Sequence, residues 1–165
     1  MSQKSKKEYS AEEIAKYFIW KAQKENKVLT NKKLQKLLYY AQAWNLVFTN
    51  ERLFSEDIEA WVHGPTVRKI YGKYKKFGYE KIEETVKRND IKITDKYLKL
   101  LEEIWRIYGK YDADYLEELT HCEEPWQKAR EGLFYYESSS NVINDDDMKS
   151  YYSKRLTEAK DKSKT

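Results

Sequence analysis

Apolar residues recur every three or four positions along most of the chain, and two-residue alternation is confined to short stretches. Ser10 and Glu13 stand at capping-box spacing, so each side chain can satisfy a backbone donor of the other. Ile14, Phe18 and Ala22 follow at helical steps, and Asn26 ends the segment. Thr30 or Asn31 opens a second helix, in which Leu34, Leu37, Leu38, Ala41, Trp44 and Phe48 form the clearest stripe, stopped at Thr49 and Asn50. Over residues 58–63, Ile58, Ala60 and Val62 alternate with Glu59, Trp61 and His63, which predicts a short strand or β-hairpin. Gly64 breaks it, and Pro65 is placed to begin a helix carrying Val67, Ile70, Tyr71, Tyr74 and Phe77, closed by Gly78.

Residues 79–93 are less regular. Ile82 and Val86 share one parity with Glu84, and Ile91 and Ile93 flank Lys92, so a second short strand or a hairpin turning at Asn89 and Asp90 is expected. Thr94 and Asp95 open a long helix with Leu98, Leu101, Ile104, Trp105 and Tyr108 on one side. A short helix with Tyr115, Leu116 and Leu119 comes next, then one begun by Pro125 with Trp126 and Ala129. Ile143 and Asn144 introduce a last helix holding Met148, Tyr151, Tyr152 and Leu156. The pattern predicts a mainly α, multihelical single domain over residues 10–158, with flexible charged ends at 1–9 and 159–165.

Composition sharpens this. Only 5 Gly and 2 Pro leave few breaks, which suits helices and argues against a β-sandwich. The 15 Tyr and 5 Trp supply large surfaces that carry polar handles, a type common at binding surfaces. Net charge is only +4 with both signs mixed, so a dedicated nucleic-acid binder is not expected. Cys122 is the single cysteine, which excludes an intrachain disulfide and fits a reducing compartment. No stretch is apolar for long enough to cross a bilayer, and the basic start has no apolar run after it, so the expected place is the cytoplasm.

Catalytic chemistry is not evident. His63, His121 and Cys122 are the only soft or imidazole ligands, too few for a metal site unless His63 folds against the other two. Cys122 with His63 could form a nucleophilic pair, but a lone cysteine reads as a small buried apolar residue. The pairs Glu117–Glu118 and Glu123–Glu124 read as solvated helix positions. There is no phosphate-cradling glycine loop and no nucleophile elbow. No enzyme activity, metal or cofactor is expected.

Three segments remain that composition does not demand. The first runs from Lys33 to Trp44 and includes Leu34, Gln35, Leu37, Leu38, Tyr39, Tyr40 and Gln42. The second holds Glu59, Ala60, Trp61, Gly64 and Pro65, followed by Tyr71 and Tyr74. The third comprises Leu119, Thr120, His121, Glu123, Pro125, Trp126, Ala129 and Arg130, with Tyr151 and Tyr152 later. In this order the segments, spanning residues 12–153, resemble the Panacea domain family, the SocA-like antitoxins also met in phage-associated GepA-like proteins. That resemblance implies a module that neutralises a toxin encoded beside it by binding it. In at least one branch it implies an adaptor that delivers the toxin to the ClpXP protease.

Most of the motif residues read as structural: Leu34, Gln35, Leu37, Leu38 and Trp44 in the helix, Gly64 and Pro65 in the turn, and His121, Pro125 and Trp126 in the third segment. Tyr39, Tyr40, Trp61, Tyr71 and Tyr74 are the candidates for a partner-binding patch near the Gly64–Pro65 turn, because such rings make hot spots at low entropy cost. The rival reading is a winged-helix-like DNA-binding regulator of phage or mobile-element genes. It rests on Arg68, Lys69, Lys73, Lys75 and Lys76, with Glu80, Glu83 and Glu84 opposing. Only weak, salt-sensitive DNA binding is expected.

Overall fold

The computed structural model describes residues 8–164. Helix α1 (Ala11–Lys24) opens with the Ser10–Glu13 capping box, and the chain turns out of it with Asn26 in the left-handed region. Helix α2 (Asn31–Thr49) begins at Thr30, whose side chain accepts from the Lys33 N–H, and ends where Asn50 takes a left-handed conformation. Strands β1 (Glu59–Trp61) and β2 (Gly64–Thr66) form an antiparallel hairpin with Ala60 opposite Pro65. Helix α3 (Arg68–Tyr74) continues into a 3-10 turn (Lys75–Phe77). After a further 3-10 turn (Arg88–Asp90) come α4 (Asp95–Tyr108), α5 (Ala113–His121), α6 (Glu124–Ala129) and α7 (Asp145–Ser163). The mainly α reading therefore holds.

Helix α2 is the axis of the molecule, packed against α1, α3, α4, α5, α7 and β2. Leu34, Leu37, Leu38, Tyr39, Tyr40, Ala41 and Ala43 are all fully buried, so over residues 33–43 the helix is enclosed on every side, while Phe48 in its last turn is exposed. An enclosed helix must also bury its polar residues, and these serve the backbone of irregular segments. Gln42 accepts from the N–H groups of Leu53 (2.6 Å) and Phe54 (3.2 Å) and donates to the Phe54 carbonyl (2.8 Å). Gln35 accepts from the Val67 N–H at 2.8 Å, and Asn45 donates to the Glu51 carbonyl at 2.8 Å.

Several expectations are corrected. Pro65 lies inside β2 and does not start a helix, which begins three residues later at Arg68. Ala60, opposite Pro65, sends its N–H to Asn141 (2.8 Å), so the pairing loses nothing from the N–H that proline lacks. Residues 79–93 form no named strand; a single bridge joins Lys81 to Thr30, and Asn89 and Asp90 lie in a 3-10 turn. Ile82, Val86, Ile91 and Ile93 are nevertheless buried, so this segment covers the core as an irregular strap. Tyr9 is not part of a loose end: it is buried and bridged to Phe54. Helix α7 likewise runs through residues 159–163; residues 1–7 and 165 lie outside the described residues.

Candidate functional site

A cleft of about 860 Å³ opens beside the hairpin, between α2, α3 and α5. Its floor is Lys36, which is 1% exposed, and whose ammonium donates to the Pro65 carbonyl at 3.1 Å. The close approach requires the glycine next door. Gly64 has φ +106°, and a Cβ there would stand 2.5 Å from Lys36 Cε and 3.1 Å from Thr120 Oγ1. Burial pulls the Lys36 amine down to about 7, against the pull of Glu117.

Trp61 and Tyr71 stand on the wall of the cleft with ring centroids 4.9 Å apart, edge to face. The Arg68 guanidinium sits 5.2 Å from the Trp61 ring centre and is held by Glu59, at 2.7 Å and 3.0 Å to its two carboxylate oxygens. Glu59 also accepts from the Trp61 indole N–H (3.1 Å), and its carboxyl is held below the usual range by Arg68. This stack is braced before any partner arrives, so little side-chain entropy remains to be lost on binding. Also lining the cleft, His63 Nδ1 lies 2.9 Å from Glu117 Oε1. Lys32 bridges Asp114 (2.7 Å) and Glu117 (3.2 Å); burial opposes its charge, but those two partners hold it above the ordinary lysine range.

Of the five aromatic candidates, the structure brings only Trp61 and Tyr71 to this surface. Tyr39, Tyr40 and Tyr74 are buried, a correction for all three. Tyr40 donates to Glu123 at 2.5 Å and stacks on Tyr108 with centroids 3.9 Å apart. Tyr152 donates to the same Glu123 oxygen at 3.1 Å and shares a 2.9 Å hydrogen bond with Tyr39. Burial raises the Glu123 carboxyl, offset in part by those two hydroxyls. Tyr74 donates to Glu84 at 2.5 Å. The hydroxyls of these tyrosines are thus directed inward to a carboxylate or to one another.

The third motif holds the hairpin from behind. The Trp126 indole N–H donates to the Trp61 carbonyl (2.8 Å), and the His121 ring stacks on Trp126 with centroids 4.1 Å apart. Pro125 occupies the first turn of α6. Arg130, buried, donates to the Ala60 carbonyl (2.8 Å) and to the carbonyls of Phe134 and Tyr135 (both 3.3 Å) and Glu137. It thereby fixes a loop that presents Phe134, Tyr135 and Tyr136 to solvent, with Phe134 stacked parallel to Tyr136. Sequence reasoning missed these rings, together with Tyr79, which is 93% exposed. Three consecutive aromatics with no apolar periodicity around them were the available signal. Cys122 is exposed and not a buried apolar residue, because it follows the last turn of α5 where the chain leaves the core. Among the described residues no group of three or more His, Cys, Asp or Glu could hold a metal ion.

Residues 34–127, more than half of the chain, match the family model described as antitoxin SocA-like, Panacea domain. The chain belongs to this family. The Panacea match takes in α2 from Leu34 onward, the hairpin, most of the cleft lining and the first turn of α6, and it leaves α1 and α7 outside. No curated protein and no solved structure matches the chain. No helix among the described residues is long and apolar enough to cross a membrane.

Proposed function

We propose that this domain is an antitoxin-like binding module that neutralises a protein toxin in the cytoplasm by direct contact, without chemical turnover. The observation that carries the reading is the braced Trp61–Tyr71–Arg68 stack lining the cleft, in a chain whose family is one of antitoxins. A rigid aromatic pair backed by a guanidinium is the kind of anchor that dominates protein interfaces. The DNA-regulator reading is weaker: α3 has only seven residues, and its Arg68 and Lys73 are engaged by Glu59 and Glu12.

Co-expression with the toxin encoded beside the gene tests this. The wild-type chain should restore growth, and Trp61→Ala with Tyr71→Ala should weaken toxin binding by ~1–3 kcal/mol per anchor while the fold persists. Rescue in a host lacking the ClpX unfoldase separates direct blocking, which survives, from adaptor delivery to ClpXP, which does not. Toxicity undiminished by the wild-type chain in both hosts would end the antitoxin reading.

A further inference from the structure

The cleft does not stop at the hairpin. A second one of about 660 Å³ meets it at Lys32, Gly78 and Tyr79 and runs along the start of α2 to the loop before α5. The two make one trough. Lys27, Lys32, Arg68, Lys75 and Lys110 line it, above the buried Lys33 and Lys36, against Asp112, Asp114 and Glu117. The whole chain carries 32 basic and 28 acidic residues, so this excess is local.

Acidic partners hold Lys32 and Arg68, but the other cations are not matched in this way. The first turn of α2 has no acid but carries Lys32 and Lys33, against the positive end of the helix dipole. Lys33 is buried, with its ammonium 2.6 Å from the Gly109 carbonyl, and burial lowers its pKa. Lys27, Lys75 and Lys110 have no acidic partner among the described residues. Aromatic faces alternate with the charges along the trough: Trp61, Tyr71, Tyr79 and Tyr111.

We propose that this trough is the docking surface for an extended, acid-rich segment of the protein partner, its carboxylates meeting the lysines and its apolar side chains seated on the aromatics. The inference rests on the antitoxin reading for the identity of that partner. Charge complementarity names the occupant. A peptide carries discrete carboxylates that can be spaced around Asp114 and Glu117, whereas a continuous phosphate backbone would run straight over those acids. Complementary fields of this kind steer association and fix register.

The test uses the full chain and three labelled probes in fluorescence anisotropy: a twelve-residue peptide alternating Glu or Asp with Phe or Leu, its Gln and Asn counterpart, and a twenty-nucleotide oligo(dT). Two charge-matched variants are compared with wild type, Lys27→Glu/Lys75→Glu/Lys110→Glu in the trough and Lys96→Glu/Lys99→Glu/Lys154→Glu on α4 and α7. The acidic peptide should bind the wild type in a saturable, salt-sensitive way and lose about tenfold or more in affinity with the trough variant, the α4–α7 variant changing it less than about twofold. No saturable binding, equal binding of the neutral peptide, equal loss with both variants, or tighter binding of oligo(dT) would each overturn the proposal. Growth rescue separates the two readings. If the trough variant rescues as well as wild type, the trough is not the docking surface and the antitoxin reading stands. If the wild type fails to rescue, the antitoxin reading fails while the peptide assay still decides the trough.

Discussion

Lys36 is a lysine enclosed by protein, with the Pro65 carbonyl as its acceptor and Glu117 and Lys32 as the charges that act on it. Its stem fills the space that a side chain at position 64 would need, so lysine and glycine form one packing unit. The amine titrates near 7 in the folded chain and near ~10.4 when unfolded. Between those values the unfolded chain holds a proton that the folded chain lacks, so stability rises with pH through that window. Below about 7 the burial cost of the charge is present in full. Lys36→Met keeps most of the stem volume and removes the titration. Urea unfolding of the two proteins from pH 6 to pH 10 should therefore show the wild type gaining on Lys36→Met as pH climbs above 7. A constant difference across the range would mean that the amine keeps its ordinary titration, and that the cleft floor is wetter than its burial implies.

At the scale of elements, α2 and the hairpin divide stability from recognition. Leu37 is wholly enclosed, and Leu37→Ala should cost ~2–5 kcal/mol, read as an earlier thermal midpoint with binding lost in parallel. The Tyr71 side chain contributes a ring contact at an exposed position, so Tyr71→Ala should move stability by no more than ~1 kcal/mol. An equal loss of melting temperature in both variants would deny the hairpin a separate role. The α2 stripe was legible because Leu, Ala and Trp recur at helical spacing, and the capping box of α1 was legible because two side chains three residues apart define it. The roles of Tyr39 and Tyr40 were not legible. Periodicity assigns one apolar face to a helix, and a helix packed on all sides gives every face the same burial. Their hydroxyl partners, Glu123 and Tyr152, are far away in sequence and leave no local trace. Pro65 misled for a related reason, since a proline after glycine marks both a helix start and the return strand of a tight hairpin.

Over the whole molecule, the family match and the folding unit have different limits. The match ends at residue 127, yet α7 packs along α2 and closes the core. Met148 and Tyr152 are buried, and the Tyr152 hydroxyl binds both Tyr39 and Glu123. Ahead of α7, the Ile143 N–H donates to the Ile58 carbonyl at 2.8 Å, and Val142 bridges Glu59, so this segment also edges the hairpin. Glu123, raised by burial, would lose one of its two hydroxyl donors if α7 were absent, and Tyr39 would keep a buried hydroxyl without its partner. A chain ending at residue 138 should therefore lose its cooperative melt by circular dichroism while retaining helical signal, the behaviour of a core with packing removed. Supplying residues 139–164 as a separate peptide should restore a melting transition, because the missing face is complementary to α2 and covalent continuity is not what stabilises it. If the shortened chain melted cooperatively at the temperature of the full one, α7 would be an accessory, and the folding unit would shrink to the segment that the family match covers with α1.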